Sequence, residues 1–180
     1  SGAAHRPGAN PRTFLRIEHF APSVAYRLGE LAKLLAAFGP CTRLDHEETR
    51  ATWHGIRDAE VFRANEEEAL WRISIAPTRA PALMRALAGD IAGARHMFDW
   101  GGGLVWLTAP AQKDAGAGRI RAALDGTGGH ATLVRAGAEI RSSVDVFHPQ
   151  SAALMKISRG VKASLEPAGV FNPGHMYADV

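Results

Sequence analysis

Several short segments of the chain alternate apolar and polar positions with a period of two, the pattern of strands that bury one face. In the clearest segment Trp71, Ile73 and Ile75 fall on one side, and Arg72 and Ser74 fall on the other. The segments with a strand-like pattern are 13–20, 70–75, 95–100, 104–108 and 130–135. They predict a sheet whose strands come from most of the length of the chain.

Apolar residues spaced three and four positions apart predict helices between these strands. The first helix begins at Pro22, and we expect its apolar stripe to pack in the core. The stripe consists of Val24, Leu28, Leu31, Leu35 and Phe38. A second helix is predicted after Asp45, because Asp45 and Glu48 have the spacing of a capping box. Trp53 and Ile56 are the main apolar anchors of that helix.

The other segments complete the order of elements. Helices are predicted over 81–87 and 116–124, and three consecutive glycines at 101–103 can supply the positive φ angles of a tight hairpin. Segment 140–147 is expected to be extended, and a last helix is expected after Pro149. The apolar side of that helix consists of Leu154, Ile157, Val161 and Leu165.

This order predicts an α+β fold of the ferredoxin-like type. We expect an antiparallel or mixed sheet with helices on one face, plus the C-terminal helix and an extended tail. The domain is expected to occupy residues 12–180. Residues 1–11 begin with serine and are rich in Gly, Pro and Asn, so we interpret them as a disordered or tag-derived stretch, or as the edge of a cut within a longer protein.

Composition excludes several classes of protein. The 180 residues are 46% hydrophobic and 22% charged, which is typical of globular domains and excludes global disorder. A net charge of +3 does not imply nucleic acid as a partner. Cys41 is the only cysteine, which excludes an internal disulfide scaffold and suits a reducing compartment. No apolar run approaches the roughly 20 residues of a membrane span.

The glycine clusters do not predict a nucleotide site. Gly101–Gly103 lies between two strands, and Gly126–Gly129 precedes a strand, whereas a phosphate loop leads from a strand into the N-terminus of a helix. A metal site is not predicted either, because no histidine pair has ligand spacing on a helix. His96 and His130 are both on predicted strands, where they could converge, although a satisfied or exposed imidazole is the commoner situation.

Arginine and tryptophan side chains on the strands are more informative. Arg16, Arg72 and Arg95 must each be solvated, paired with an acid or directed at an anionic ligand such as a small carboxylate. Trp71, Trp100 and Trp106 can supply flat apolar walls, with sheet packing as the commoner role of each.

Longer motifs support a family resemblance. The run K-A-S-L-E-P-A-G-V-F-N-P-G-H at 162–175 resembles the closing signature of FAD-linked oxidases of the vanillyl-alcohol oxidase type. More narrowly, the runs F-L-R-I-E-H-F-A-P-S-V, L-W-R-I-S, F-D-W-G-G and G-H-A-T-L, which begin at 14, 70, 98 and 129, resemble the second half of the FAD-binding E subunit of bacterial glycolate oxidases. Two positions depart from the signature, since Glu166 replaces Asp and His175 replaces Arg or Lys. The metal motif H-x-G-D-G-N of related dehydrogenases is not present.

The resemblance implies a C-terminal cap domain that covers the flavin of a subunit oxidising glycolate, a 2-hydroxy acid, to glyoxylate. FAD would be held by an N-terminal domain of the same subunit and is not expected on this chain alone. Arg16 or Arg72 would bind the substrate carboxylate, Trp100 and Trp106 would form walls beside the flavin, and Asn172 with Gly174 would meet the flavin domain. No catalytic residue or metal ligand is implied.

The resemblance also implies partners and a location. Other glycolate oxidase subunits, including an iron–sulfur subunit, would accept the electrons, and the location would be cytoplasmic, or peripheral at the inner membrane through those subunits.

Two alternative functions belong to other classes of protein. One is a stand-alone ferredoxin-like module that binds a ligand or regulates, and the other is a structural domain that docks subunits without catalytic residues.

Overall fold

A computed structural model describes residues 2–63, 68–111, 113–174 and 176–177. Within these ranges an open sheet has six strands in the order β2-β1-β4-β5-β3-β6, and every neighbouring pair is antiparallel. The strands are β1 Gly2–Arg6, β2 Arg12–Arg16, β3 Glu68–Ser74, β4 Arg95–Asp99, β5 Leu104–Pro110 and β6 His130–Arg135. The predicted α+β fold of ferredoxin-like type is confirmed, and its sheet is antiparallel.

Six α-helices accompany the sheet in the described ranges: α1 Ala21–Leu35, α2 His46–Arg57, α3 Ala80–Asp90, α4 Ala117–Leu124, α5 Ala138–Ser143 and α6 Ala152–Leu165. The predicted capping box of α2 is confirmed, because the Asp45 carboxylate accepts from the Glu48 amide while the Glu48 carboxylate accepts from the Asp45 amide. No described helix combines the length and the apolar character needed to cross a membrane.

The main core lies between one face of the sheet and helices α3 and α4. Alternation along β3 and β5 places Trp71, Ile73 and Leu107 on this face, where they are almost completely buried. Leu87 of α3 and Ile120 of α4 belong to the same cluster. The Trp71 indole nitrogen donates to the carbonyl oxygen of Ala115 at 3.0 Å, so the polar atom of this side chain is satisfied in the interior.

The opposite face of the sheet is partly covered by α2. Ile56 of α2 and Phe62, which follows it, pack against Leu70, Met97 and Trp106 on this face. This second cluster adds a helix on the face opposite α3 and α4. It also leaves a groove at the end of the sheet nearest Gly2 and Asp99.

The predicted core role of the α1 stripe is wrong. No residue of α1 is buried, and Phe38 beyond its end is largely exposed. Helix α6 likewise has no buried residue, and its apolar side chains are exposed. Helical spacing shows that a face is apolar, but it does not state which surface covers that face.

Two further segments differ from the expectation. Residues 138–143 form α5 rather than extended chain, and the hydroxyls of Ser142 and Ser143 donate to the Glu139 carbonyl as in a helical turn. Residues 2–6 form β1 rather than a disordered stretch, since they pair with β2 along their whole length and Ala4 is buried. The small side chains of this strand give no hydrophobic alternation, so periodicity could not identify it.

Candidate ligand-binding site

The groove lies on the α2 side of the sheet, between α2 and the adjacent ends of β1, β2 and β4. Its volume is about 890 Å³. Its wall includes two indole rings, two guanidinium groups and two carboxylates, which belong to Trp53, Trp100, Arg16, Arg57, Glu18 and Asp99. A groove with flat apolar surfaces and a few charged groups suits a small polar ligand or the ring of a larger one.

The turn between β4 and β5 places Trp100 at the mouth of the groove. Trp100 has a φ of +51°, a left-handed conformation uncommon for residues other than glycine. The Asp99 carboxylate accepts a hydrogen bond from the Trp100 amide at 2.7 Å, which stabilises the turn. Gly102 (φ +99°) could not be replaced without crowding, because a Cβ there would lie 3.3 Å from the carbonyl oxygen of Pro77. The Trp100 side chain is therefore fixed at its backbone yet 62% exposed.

Arg72 lies beside this turn. It is on the same face of β3 as the groove, directly opposite Trp106 of β5, and its guanidinium carbon is 5.2 Å from the centre of the Trp100 ring. Among the described residues, no carboxylate lies within ion-pair distance of Arg72. A half-buried guanidinium that is held by an aromatic ring and lacks an acidic partner is suited to bind an anion.

The other arginines near the groove are already paired. Arg16 forms an ion pair with Glu18. Arg57 donates to the Asp58 carboxylate at 2.7 Å, and this hydrogen bond holds the pKa of Asp58 below its ordinary value. Of the two predicted carboxylate ligands, Arg72 is thus the one whose charge is not matched by an acid in the described residues, whereas Arg16 is neutralised.

Asp99 is buried in the wall of the groove, with 6% of its surface exposed. Burial raises the pKa of its carboxyl group, because the charged form loses solvation, and the hydrogen bond from Trp100 offsets only part of that effect. No cation of the described residues forms an ion pair with Asp99.

The two predicted aromatic walls differ in position. Trp100 lines the groove, whereas Trp106 is 9% exposed and packs in the second cluster under α2. The Trp106 indole nitrogen is buried and has no hydrogen-bond partner among the described residues. These positions favour Trp100 as the side chain that faces a ligand, and the wall role of Trp106 stays a prediction.

The two strand histidines do not converge. His96 pairs with Leu107 on the α3 and α4 side of the sheet, whereas His130 pairs with Ser74 on the opposite side. Burial lowers the pKa of His96, whose ring packs edge-on against Phe98 with centroids 5.0 Å apart. Within the part of the chain that the structure describes, no group of three or more potential ligands could hold a metal ion.

The predicted flavin-domain contacts lie in the C-terminal tail and do not line the groove. Asn172 and Gly174 both have positive φ angles of 46° and 68°. The tail is tied to α6, because the Lys162 ammonium donates to the Phe171 carbonyl at 3.1 Å, while the Phe171 ring is largely exposed. His175, the departure from the family signature, lies outside the described residues.

Comparison with known proteins agrees with the sequence motifs. Over 128 residues, 71% of its length, the chain is 36% identical to a protein of Escherichia coli (strain K12). The chain is similar to glycolate oxidase subunit GlcE. The match covers 31% of GlcE, so the chain spans about a third of the length of this curated relative. No protein-family model matches the chain. The predicted resemblance to this subunit is confirmed.

Two groove residues, Asp99 and Trp53, were not among the residues predicted for the site. Asp99 belongs to the D-W-G-G run that carries part of the resemblance to GlcE, and an acidic residue between the aromatic residues Phe98 and Trp100 was the available signal. Trp53 was predicted only as an anchor of α2. In the structure the Trp53 ring packs against the second cluster, as an anchor of α2 would, and it also lines the groove.

Proposed function

We propose that this chain is the cap domain of a glycolate oxidase flavoprotein subunit, where it covers the flavin ring and binds the carboxylate of glycolate or another small 2-hydroxy acid. The similarity to glycolate oxidase subunit GlcE supports the assignment to this class. The observation that carries the role of the site is Arg72, a half-buried guanidinium held against Trp100 with no acidic partner among the described residues.

Arg72 suits the carboxylate of such a substrate. A guanidinium presents two parallel N–H donors to two carboxylate oxygens, and this geometry fixes the orientation of the acid as well as its position. Contact with the Trp100 ring, whose centre is 5.2 Å from the guanidinium carbon, restricts the position of this group. The proposed role of this chain is therefore to bind and orient the substrate acid.

The described residues fit the ring of FAD better than its phosphates. The exposed face of Trp100 and the nearby Trp53 ring offer apolar surfaces of suitable shape. The glycines at 101–103 lie in a hairpin and those at 126–129 lead into β6, so in the described ranges neither cluster forms a phosphate loop at a helix N-terminus. When bound, FAD would accept a hydride from the α-carbon of the substrate. Its phosphates would be held by a separate N-terminal domain of the subunit.

Exposed apolar surfaces support the proposal of such a domain and of partner subunits. The side chains of Leu154, Ile157, Val161 and Leu165 along α6 are all at least half exposed, and so is Phe171 in the tail. Asn172 and Gly174 would lie in the contact with the flavin domain. Electrons would pass to other subunits, including an iron–sulfur subunit, and the location would be cytoplasmic or peripheral at the inner membrane through them.

These surfaces weigh against a stand-alone module, which would be expected to cover its own apolar residues. A structural docking domain is the remaining alternative. It accounts for the exposed helices but assigns no role to the charge of Arg72, which has no acidic partner among the described residues.

We expect the purified 180-residue chain to retain no FAD and to oxidise no glycolate, because its described residues include no phosphate loop. Absorbance at flavin wavelengths after gel filtration with excess FAD is the measurement, and a known FAD-binding protein is the positive control. Flavin bound tightly at one equivalent per chain would contradict the cap assignment.

A genetic test addresses the reaction class. Deleting the segment that encodes this chain should abolish glycolate-dependent dye reduction in extracts of the source organism, and restoring the segment should recover it. Succinate-dependent reduction by other enzymes in the same extracts is the control, because succinate carries no 2-hydroxyl group. If glycolate-dependent reduction persists at the level of the parent strain, the proposed function is wrong.

A further inference from the structure

Asp99 is an unusual acid in this fold. It is one of two polar residues, with Thr108, that are buried in the described part of the chain. It is the last residue of β4 and lies on the same face of the sheet as Arg72. Asp99 pairs with Leu104, and Leu104 pairs with Ser74, which is two positions from Arg72 on β3 and so shares its face. A buried carboxylate without an ion-pair partner is costly to a fold, so its one strong contact is informative.

That contact is with the backbone of Trp100. Oδ1 of Asp99 accepts from the Trp100 amide at 2.7 Å and so caps the single turn Trp100–Gly102. The same residue has the left-handed φ of +51°, which L-residues with large side chains rarely adopt. The Asp99 carboxylate therefore stabilises Trp100 in a conformation that its own backbone does not favour.

The conformation of Trp100 in turn determines what Arg72 contacts. The indole ring reaches back across the sheet end so that the Arg72 guanidinium lies 5.2 Å from its centre. In the described residues no acid competes for this guanidinium. A Trp100 backbone that relaxed to negative φ would redirect the ring and leave Arg72 without this support.

We propose that Asp99 is a positioning residue for the carboxylate site: it holds the Trp100 turn, and the Trp100 ring holds the Arg72 guanidinium in its binding orientation. This inference rests on the proposed function, since it assigns Asp99 a role in the affinity for the substrate acid. The hydrogen bond from the Trp100 amide requires an acceptor oxygen, but it does not require a negative charge. Asparagine can therefore replace Asp99, whereas alanine cannot.

The test uses variants in the glycolate oxidase complex that contains this chain. Asp99→Ala should raise the KM for glycolate about five-fold and change kcat less than two-fold, because Asp99 does not contact the reacting atoms. Asp99→Asn should restore a KM within two-fold of the wild type. Asp90→Ala, at an exposed acid that ends α3, is the matched control and should alter neither constant. A merely structural role would lower the amount of active complex in Asp99→Ala and leave the KM of the remaining complex unchanged.

A second variant covers the case in which Asp99→Ala does not fold. Trp100→Leu keeps the capping hydrogen bond but removes the ring, and it should raise KM to a similar extent. If both Asp99→Ala and Trp100→Leu leave KM unchanged while Arg72→Ala raises it, the positioning role of Asp99 is overturned and the carboxylate role of Arg72 stands.

A measurement without ligand tests the positioning role of Asp99 independently of the carboxylate role of Arg72. In the purified chain, the NMR signals of the Arg72 Nε–H and the Trp100 indole should shift in Asp99→Ala and stay near their wild-type positions in Asp99→Asn. If these shifts occur while Arg72→Ala leaves the KM for glycolate unchanged, the positioning contact is supported and the proposed carboxylate role fails. Unshifted Arg72 and Trp100 signals in Asp99→Ala would reject the positioning contact directly.

Discussion

Under the proposed function, replacing Arg72 by alanine in the flavoprotein subunit that contains this chain should raise the KM for glycolate about 10- to 100-fold. A hydrogen bond to a charged group contributes roughly 1.5–3 kcal/mol, and each ~1.4 kcal/mol corresponds to a factor of ten in affinity. The increase in KM should reach the upper part of this range only if both parallel N–H donors of Arg72 bind the carboxylate. Steady-state kinetics over a wide range of glycolate concentrations gives KM and kcat separately.

Two further variants make this result specific. Arg72→Lys retains the charge but not the planar pair of donors, so its KM should lie between those of the wild type and Arg72→Ala. Arg85→Ala removes an exposed arginine from α3, on the far side of the sheet, and should leave KM unchanged. Equal KM values for the wild type and Arg72→Ala would remove Arg72 from the substrate site and favour the structural docking alternative.

Strand alternation predicted β3 well because one face of this strand is fully buried, while Arg72 and Ser74 on the other face are only half-buried. On β3, the odd positions from Ala69 to Ile73 belong to the main cluster, and Leu70 belongs to the second cluster. The hairpin at Gly101–Gly103 was predicted for a similar reason, since a glycine run between two strands has few other uses. Local pattern and tertiary packing agree in this region.

The same approach failed where the covering surface is not supplied by the described residues. The stripe of α1 has the spacing of a core helix but no buried member. Helical spacing shows that one face of a helix is apolar and the other polar. This spacing is the same whether the apolar face packs on the sheet of the same domain or on another domain. The absence of buried residues on α1 therefore supports the proposed partner surface, as does the exposed apolar face of α6.

The site was predicted in part. Arg72 was identifiable because a guanidinium on the polar side of a central strand has few neighbours able to neutralise it. Its preference over Arg16 required the structure, since the pairing of Arg16 with Glu18 depends on the path of the chain after β2. Asp99 was missed because its role depends on the positive φ of Trp100, which neither composition nor spacing encodes.

Replacing Trp71 by alanine should destabilise the chain by about 3–5 kcal/mol, the usual cost of truncating a large aromatic side chain in a core. Trp71 has no exposed surface, and it lies in the main cluster on the central strand β3. The change would also leave the Ala115 carbonyl without its indole donor and remove the ring beneath the Arg121 guanidinium. Since domains of this size are stable by only about 5–15 kcal/mol, a large fraction of the folding free energy would be lost.

Urea unfolding followed by far-ultraviolet circular dichroism measures this change. With a slope near 2 kcal/mol per molar urea, the midpoint should fall by about 2 M in Trp71→Ala. Trp100→Ala is the matched control, because that ring is 62% exposed and its removal should cost less than about 1 kcal/mol. The urea midpoint of Trp71→Phe should lie between those of the two alanine variants, because phenylalanine fills most of the volume of the indole but cannot donate a hydrogen bond to the Ala115 carbonyl. Equal midpoints for the two alanine variants would show that Trp71 is not central to the core, and the packing of α3 and α4 on this face of the sheet would then be wrong.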